Sequence, residues 1–172
     1  MSDQFAGRSI HGAPPHALRL AEHPVLHVTG AVARPLELGL DELSNVKHVR
    51  FLDRFPPDRR ENWPETDWSG ASIATLIALA EPDPNAQWIQ VLGGPFATVI
   101  PIEDIGHALI CDRIGDHAIP VENGGPFRLV YPNENYNLCV KWADSVVVSH
   151  EEPDRSAERI AIARQRARDA RS

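Results

Sequence analysis

The sequence of 172 residues predicts a single α+β domain, and three observations support that fold class. The length suits one domain with a full hydrophobic core. Hydrophobic residues make up 42% of the chain and charged residues 24%, which is the balance of an ordinary globular protein. Segments typical of strands and of helices are mixed without a regular β-α-β alternation. That mixture favours a mixed α/β domain over a doubly wound sheet.

Hydrophobic patterning predicts the elements of the first half of the chain. Residues 1–22 contain two adjacent prolines and little periodicity, so we expect them to be irregular. The alternating, β-branched stretch VLHVTGAV predicts a strand with a turn at Gly30. Further strands are expected over residues 36–40 and over VKHVRFL, with Asp41 capping a short helical turn between them.

The second half of the chain predicts one buried helix and several strands. Ser69 or Ser72 is expected to cap a largely apolar helix over ASIATLIALA, which two prolines end. WIQVLGG predicts a strand, FATVIPIEDIGHAL a strand that runs into a short helix, and NGGPFRLVYP and CVKWADSVVVSH one further strand each. The domain is therefore expected over residues 23–152, followed by a basic C-terminal helix over residues 153–172.

The net charge of −7 is unevenly distributed along the chain. Residues 155–172 hold six arginines against Glu158 and Asp169, a net charge of +4, which leaves −11 for residues 1–154. An acidic body argues against nucleic-acid binding, because phosphate contacts need a positive surface. The basic C-terminal helix has little apolar face of its own, so it is a candidate contact for a protein partner.

Compartment and redox state follow from apolar runs and cysteine spacing. The sequence has no run of 18 apolar residues and no apolar signal-peptide core, so we expect a cytoplasmic protein without membrane contact. Cys111 and Cys139 lie 28 positions apart without a CxxC pattern, which predicts two reduced thiols and no disulfide. No CxxCH motif is present in the sequence, so no haem is expected.

The common catalytic motifs are missing from the sequence, which leaves two basic side chains as candidates. GxGxxG, GxxxxGK[ST], HExxH and GxSxG patterns do not occur. Arg128 follows a GGP turn and begins a strand. Its guanidinium there either makes bidentate hydrogen bonds to an anion or bridges backbone groups. Lys141 stands before Trp142, either as a ligand-binding cation beside an aromatic wall or as a solvated lysine next to a core tryptophan.

The segment VRFLDRFPPDRRENWPETDWSG, residues 49–70, is too polar for core and unusually rich in arginine and tryptophan. It follows a predicted strand and precedes the predicted buried helix. Arginine and tryptophan together can hold an anionic, planar ligand by forked hydrogen bonds and ring stacking. The segment is therefore a candidate binding loop.

Residues 25–150 resemble the molybdopterin-binding domain of sulfite-oxidase-like oxidoreductases. Four segments match that family's pattern in the right order: LHVTGAVARPLELGLDEL, WSGASIATLI, GGPFATVIPIEDI, and IPVENGGPFRLVYP followed by KWADSVVV. The resemblance implies that family's fold, a molybdopterin cofactor and oxidoreductase chemistry.

The residues that serve the metal in that family are replaced in this sequence. The family's metal-binding cysteine, whose thiolate suits molybdenum, corresponds to Asp53. A tyrosine beside the metal corresponds to Phe96, and a pterin-contacting lysine corresponds to Leu138. Arg128 and Lys141 match a family arginine and lysine. The resemblance therefore implies a retained scaffold with an altered metal site, in which Asp53 is the one candidate metal ligand.

Two interpretations of the altered site stay open at this point. In the first, a small anionic or pterin-like ligand is held by cationic side chains that bond to its anionic group and by aromatic rings that stack on it. These residues are Arg50, Arg54, Arg59, Trp63, Trp68, Phe96, Arg128 and Lys141. In the second, acidic side chains of the loop pair with its arginines and close the site: Asp53, Asp58, Glu61 and Asp67.

Three functions are compatible with these interpretations. The first is a non-catalytic binder of a small anionic or pterin-like ligand. The second is a molybdopterin-dependent oxidoreductase that transfers oxygen atoms, with Asp53 binding the metal through a carboxylate oxygen. The third is an interaction subunit of a larger complex, which contacts its partner through the C-terminal helix.

Overall fold

The computed structural model describes residues 13–53, 66–131 and 139–155, together with Ala163, Arg166 and Ala170. In these parts of the chain, one mixed sheet and one antiparallel sheet pack with three short α-helices. The helices are α1 (Pro15–Glu22), α2 (Leu40–Asn45) and α3 (Ile73–Leu79), and two 3₁₀ helices cover Ile102–His107 and Val121–Asn123. The predicted fold class, a mixed α/β domain, is confirmed.

Sheet I joins the two ends of the domain. Its strands are β1 (Leu26–Gly30), β2 (Leu36–Leu38), β5 (Trp88–Gly93), β6 (Phe96–Pro101) and β10 (Ser145–Ser149). The spatial order is β2-β1-β10-β5-β6. The first and last strands, β1 and β10, run parallel, whereas the other pairs are antiparallel.

Sheet II carries two residues that matter below, Trp68 on its second strand and Arg128 on its last. Its strands are β3 (His48–Asp53), β4 (Thr66–Ser72), β7 (Leu109–Ile114), β8 (His117–Ala118) and β9 (Arg128–Val130). The order is β3-β4-β7-β8, and β9 also pairs with β7. All of these pairs are antiparallel. His48 reaches across β4 to β7, where its Nε2 lies 2.8 Å from Oδ1 of the buried Asp112.

Sheet II separates two hydrophobic clusters. The strand β7 alternates between them: Ile110 belongs to the main cluster, and Cys111 belongs to the second. The main cluster fills the space between the sheets and α3. The second cluster is centred on Trp68 and contains Leu109, Cys111, Ile114, Ile119, Val130 and Cys139. Both faces of β7 are thus buried over its first four residues, LICD, three of which are apolar.

Most predicted elements are confirmed. The strands expected at Gly30, over WIQVLGG and over FATVIP are β1, β5 and β6, and Gly30 has a φ of 92°. Ser72, rather than Ser69, caps α3, because the Thr75 amide donates to its Oγ over 3.0 Å. Ser69 lies inside β4.

Two predictions were wrong in detail. Residues 15–22 form helix α1 instead of an irregular segment, because Pro15 suits the first helical position and Ala17 and Leu20 are buried. Asp41 lies in the first turn of α2, and Gly39 takes the capping position. Most of the predicted C-terminal helix lies outside the described residues, although Ala163 and Arg166 are helical.

Among the helices that the structure describes, none has the length and hydropathy to cross a membrane.

Candidate functional site

The turn before β9 brings two cationic side chains to one glycine. Gly124 has a φ of 95°, a left-handed conformation that favours glycine. A β-carbon placed on Gly124 would lie 2.8 Å from Cγ of Lys141 and 3.0 Å from Cδ of Arg128. The stems of Lys141 and Arg128 therefore flank the same point of the backbone, 13 positions apart in the sequence.

The guanidinium of Arg128 is buried and held from two sides. The residue is 5% exposed, its Nη1 donates to the Asn123 carbonyl over 2.9 Å, and its Cζ lies 5.2 Å from the centre of the Trp68 ring. A cation over an indole face is attracted by the ring quadrupole. Trp68 itself is fully buried, so it forms the floor beneath Arg128 rather than an exposed stacking surface.

Lys141 is followed by a tryptophan in a strained backbone conformation. Trp142 has a φ of 54°, which is rare for a bulky residue and costs about 1–2 kcal/mol. Its amide donates to the Gly124 carbonyl over 2.8 Å, and its Nε1 donates to the Val121 carbonyl over 2.7 Å. The Nζ of Lys141 lies 5.8 Å from the Trp142 ring centre. Such strain persists where neighbours hold it, most often at binding sites.

Two buried nitrogen atoms beside these cations lack hydrogen-bond partners among the described residues. They are Nδ2 of Asn123, a residue that is 2% exposed, and Nε2 of His16 in α1. The His16 ring meets Trp142 edge-on with 6.0 Å between ring centres. A buried donor without an acceptor costs about 1–3 kcal/mol, so these atoms suit a bound polar ligand. We call His16, Asn123, Arg128 and Lys141 the polar cluster.

Arg50, in the candidate loop region, already has a protein partner. It is exposed on β3 and forms an ion pair with Asp67 on β4, with 3.2 Å between its Nε and the Asp67 Oδ1. This pairing is the one that the second interpretation expected for Asp67. Three other predicted ligand residues, Arg54, Arg59 and Trp63, lie outside the described residues.

The backbone of Asp53, the candidate metal ligand, ends β3 opposite Thr66 of β4. Thr66 is 2% exposed, and its Oγ1 has no hydrogen-bond partner within the parts of the chain that the structure describes. A buried hydroxyl at the mouth of the candidate loop therefore has hydrogen-bonding capacity left for a ligand.

Phe96 lies at the start of β6, in the hairpin that also contains Gly94. It pairs with Gly93 across the hairpin and packs against the main hydrophobic cluster. Gly94 has a φ of 58°, and a β-carbon there would lie 2.6 Å from Nε2 of His16. The hairpin thus brings Phe96 near the polar cluster, where its ring supplies apolar surface only.

Both cysteines are reduced, and both thiols are buried in the second cluster. Burial raises the pKa of Cys139 to about 11 and raises the pKa of Cys111 well above its usual range. The Cys139 Sγ also lies 3.3 Å from the amide nitrogen of Tyr131. Neither thiol is a thiolate at neutral pH, and the thiolate is the form that ligates metals.

Sequence reasoning identified Arg128 and Lys141 but missed Asn123 and His16. Asn123 directly precedes the double glycine of the NGGP turn, and a polar side chain beside a turn that needs glycine could have been noted as a candidate. His16 carries no comparable signal, because its position depends on a helix that the two prolines concealed.

The polar cluster fits one part of a molybdopterin cofactor and not the other. Buried nitrogen donors from Asn123 and Arg128, with the Lys141 cation, suit a pterin ring and a phosphate group. The metal would need a soft ligand, and no group of three or more His, Cys, Asp or Glu side chains among the described residues could hold a metal ion. The donor set therefore fits the organic part of the cofactor, whereas the protonated, buried thiols do not fit its metal.

Comparisons with known proteins agree with this fold. Residues 11–157 match the model of the oxidoreductase molybdopterin binding domain. The structure also resembles the sulfane dehydrogenase SoxCD from Paracoccus pantotrophus, with a TM-score of 0.64 and 18% sequence identity. That match covers 74% of this chain but only 38% of the SoxCD chain, so it supports the fold alone. Because the family model covers most of the sequence, this chain belongs to the family of molybdopterin-binding oxidoreductase domains.

Proposed function

We propose that this chain is a non-catalytic binder of a small anionic, pterin-like ligand, which it holds at the polar cluster. One observation carries the proposal: the stems of Arg128 and Lys141 flank Gly124, and the preceding residue, Asn123, has a buried Nδ2 with no hydrogen-bond partner among the described residues. The two cations suit an anionic group, and the amide suits a ring acceptor. The chain's family, which binds molybdopterin, supports the pterin-like character of the ligand.

Each residue of the polar cluster has a distinct part in this binding. Arg128 is pre-organised by its bond to the Asn123 carbonyl and by the Trp68 ring, so it loses little side-chain entropy when it meets an anion. Lys141 adds a charge on a flexible stem. The strained Trp142 backbone fixes where that stem starts.

The absence of catalysis in this proposal rests on the replaced metal residues. By the resemblance to the family, Asp53 corresponds to its metal-binding cysteine and Phe96 to the tyrosine beside the metal. The only two cysteines of the sequence are Cys111 and Cys139, and both are buried. A ligand bound at the polar cluster would therefore meet neither of the family's usual reactive groups.

The proposal is tested by titrating the full chain with a pterin phosphate ester and following the pterin fluorescence. Lys141→Ala is expected to weaken binding about tenfold or more, because it removes a charged donor. The matched control is Lys47→Ala, since Lys47 is exposed on a different part of the domain. Binding that is absent in the wild-type chain, or that both lysine variants weaken equally, would contradict the proposal.

Asn123→Ala provides a second arm of the same titration. Because the amide Nδ2 has no partner among the described residues, its loss is expected to change the free energy of unfolding by less than about 1 kcal/mol. Ligand binding is nevertheless expected to weaken. A variant that loses stability but keeps full affinity would assign Asn123 to the fold instead.

A second candidate function is a molybdopterin-dependent oxidoreductase in which Asp53 binds the metal through a carboxylate oxygen. The observation in its favour is the buried hydroxyl of Thr66, directly opposite Asp53 in the β3–β4 pair, which has no hydrogen-bond partner in the described parts of the chain. The test is elemental analysis of protein purified from a host that makes the cofactor. Full molybdenum content in Asp53→Ala would rule out this candidate.

Contact with a protein partner through the C-terminal helix remains a prediction. The segment that leads into this predicted helix lies against sheet I. In it, Arg155 lies 5.8 Å from the Trp88 ring centre and donates a hydrogen bond to Glu152. Deletion of residues 156–172 followed by measurement of the oligomeric state tests it. An unchanged state and unchanged partner capture would count against this contact.

A further inference from the structure

His48, the first residue of β3, meets a carboxylate that a β-bulge presents on β7. In the β4–β7 pair, Gly70 stands opposite Cys111 and Ser69 stands opposite Arg113, which leaves Asp112 as the extra residue of β7. Bulges often re-aim a side chain. Here the Asp112 carboxylate reaches the His48 ring, although β4 lies between the two strands. The contact therefore joins three strands of sheet II at one point.

Both ring nitrogens of His48 face oxygen atoms that accept hydrogen bonds. Nδ1 lies 2.7 Å from the Val46 carbonyl oxygen, at the end of α2, and Nε2 lies 2.8 Å from Oδ1 of Asp112. A carbonyl oxygen and an ionised carboxylate can only accept, and a neutral imidazole has a single N–H group. The two contacts are both hydrogen bonds only when the ring carries a proton on each nitrogen.

The burial of Asp112 also favours a positively charged ring. The residue is 4% exposed, and a buried carboxylate is costly unless a cation or hydrogen-bond donors compensate it. Among the described residues, the His48 ring is the group that bonds to this carboxylate. The side chain of His48 is 19% exposed, so water can still exchange protons with the ring. The pair thus combines a buried charge with a partner that solvent can reach.

Other charged or titratable groups on the surrounding elements do not bond to the His48 ring in the described parts of the chain. These groups are Asp41 and Glu42 of α2, Lys47 before β3, Arg50 and Asp53 of β3, Asp67 of β4, Cys111 and Arg113 of β7, His117 of β8 and Arg128 of β9. Arg50 pairs with Asp67, and Arg113 donates to the Asp116 carbonyl. Burial keeps the Cys111 thiol protonated by raising its pKa. Asp112 is therefore the charged group that acts directly on the ring.

We propose that His48 is a pH-sensitive clasp, which ties the end of α2 to β7 while its ring carries two protons and releases α2 when one proton is lost. The lost proton goes to water, and the His48–Asp112 pair changes from neutral to a net charge of −1. The remaining proton stays on Nε2, because a hydrogen bond to a carboxylate is about twice as strong as one between neutral groups. Nδ1 then turns a lone pair toward the Val46 carbonyl oxygen, and this contact becomes repulsive.

Helix α2 is the element that responds, because little else holds it. It has six residues, of which Leu43 is the buried one, and the Val46 amide that follows it donates to the Leu43 carbonyl over 3.0 Å. A helix of this length is not stable without tertiary contacts. Loss of the Val46–His48 bond is therefore expected to increase local opening of α2, while the paired strands of sheet II stay in place. The device needs no ligand.

The first test observes the protons on the ring. The full chain is prepared with isotope-labelled histidine, and its ring nitrogens are followed by NMR from about pH 6 to about pH 9, a range that spans the ordinary titration of histidine. The His48 signals are assigned by their loss in His48→Gln. We expect both nitrogens to be protonated at the acidic end and Nδ1 to lose its proton toward the basic end. A ring with one unprotonated nitrogen throughout, as it would have beside a protonated Asp112, would overturn the inference, and so would a ring that keeps both protons throughout.

The second test measures the opening of α2 by hydrogen exchange over the same pH range. We expect the protection factors of the α2 amides to fall about tenfold as the ring loses its proton, because one hydrogen bond is lost. Asp112→Asn keeps the shape of the side chain without its charge, so its α2 is expected to be poorly protected at every pH. The matched control is His27→Gln, since His27 forms an exposed pair with Glu37, with 3.7 Å between Nδ1 and Oε1.

The control is expected to leave the exchange of α2 as in the wild type. A pH-dependent protection of α2 that persists in Asp112→Asn, or that His27→Gln abolishes, would overturn the inference. Protection of α2 that is independent of pH in the wild-type chain would also overturn it. The wild-type measurements decide the outcome even where the buried substitution at Asp112 impairs folding.

Discussion

Replacement of Gly124 by alanine tests whether the polar cluster depends on a glycine in the turn before β9. The φ of 95° at Gly124 is unfavourable for alanine. The new methyl group would also lie 2.8 Å from Cγ of Lys141 and 3.0 Å from Cδ of Arg128. Ordinary carbon–carbon contacts are about 3.5–4.0 Å, so at least one of the two cationic stems must move.

Gly115 offers a matched control for the backbone part of this effect. It has a φ of 57°, and a β-carbon there would meet nothing within 4 Å. Gly115→Ala is therefore expected to lower the free energy of unfolding by about 1–2 kcal/mol, the penalty of an alanine in the left-handed conformation alone. Gly124→Ala is expected to lose a further 1 kcal/mol or so, because crowded contacts add strain.

Urea unfolding measures both stabilities, and titration with the pterin phosphate ester measures both affinities. We expect Gly115→Ala to keep the wild-type affinity and Gly124→Ala to lose about tenfold, as one cation is displaced. Equal losses of stability in the two variants, together with an unchanged affinity in Gly124→Ala, would refute the argument that this glycine positions Lys141 and Arg128.

Three further predictions concern stability. Ser72→Ala is expected to cost about 1 kcal/mol, because the cap of α3 is lost, and its urea midpoint checks this. Asp112→Ala is expected to cost about 2 kcal/mol, because the Nε2 of the half-buried His48 loses its partner across β4; thermal unfolding checks this. Burial raises the pKa of Cys139 to about 11, whereas an unfolded cysteine titrates near 8.5. The native state therefore holds more protons between these values, so stability falls as pH rises from about 8.5 to 11, and the fall is smaller in Cys139→Ser.

Each of these predictions has a result that would contradict it. An unchanged midpoint in Ser72→Ala would mean that α3 is held by the burial of Ile73 and Leu76 alone. An unchanged thermal stability of Asp112→Ala would mean that water replaces the carboxylate beside His48. Identical pH profiles for the wild type and Cys139→Ser would mean that the Cys139 thiol ionises in the native state as readily as in the unfolded one.

Local patterns in the sequence predicted the elements whose signals are local. Alternation identified β1, β5 and β6, and the two candidate capping serines, Ser69 and Ser72, bracketed the start of α3. Helix α1 was missed, because its two prolines indicate a turn unless one knows that Pro15 occupies the first helical position. Burial of Ala17 and Leu20 then stabilises a helix of eight residues, which is too short to be stable in isolation.

The candidate site was only half predictable, for a physical reason. Arg128 and Lys141 stand beside turn signals, so composition and spacing identify them. The role of Trp68 depends on which face of β4 it occupies and on the partner that covers it, and these are tertiary facts. Sequence reasoning placed this indole at a surface, whereas sheet II buries it as the floor beneath a guanidinium.

The parallel pair of β1 and β10 has a consequence for how the chain folds during synthesis. The middle position of sheet I, between β1 and β5, is taken by β10, the last strand that the structure describes. Until residues 145–149 have left the ribosome, β1 and β5 each present an open edge toward the gap. Sheet I is therefore complete only after β10 has been translated, because its contacts with β1 join residues 118 positions apart, such as His27 and Ser145. Strand pairing over such a long sequence separation favours slow folding. Until it is complete, the unpaired edges of β1 and β5 are a surface that chaperones can bind.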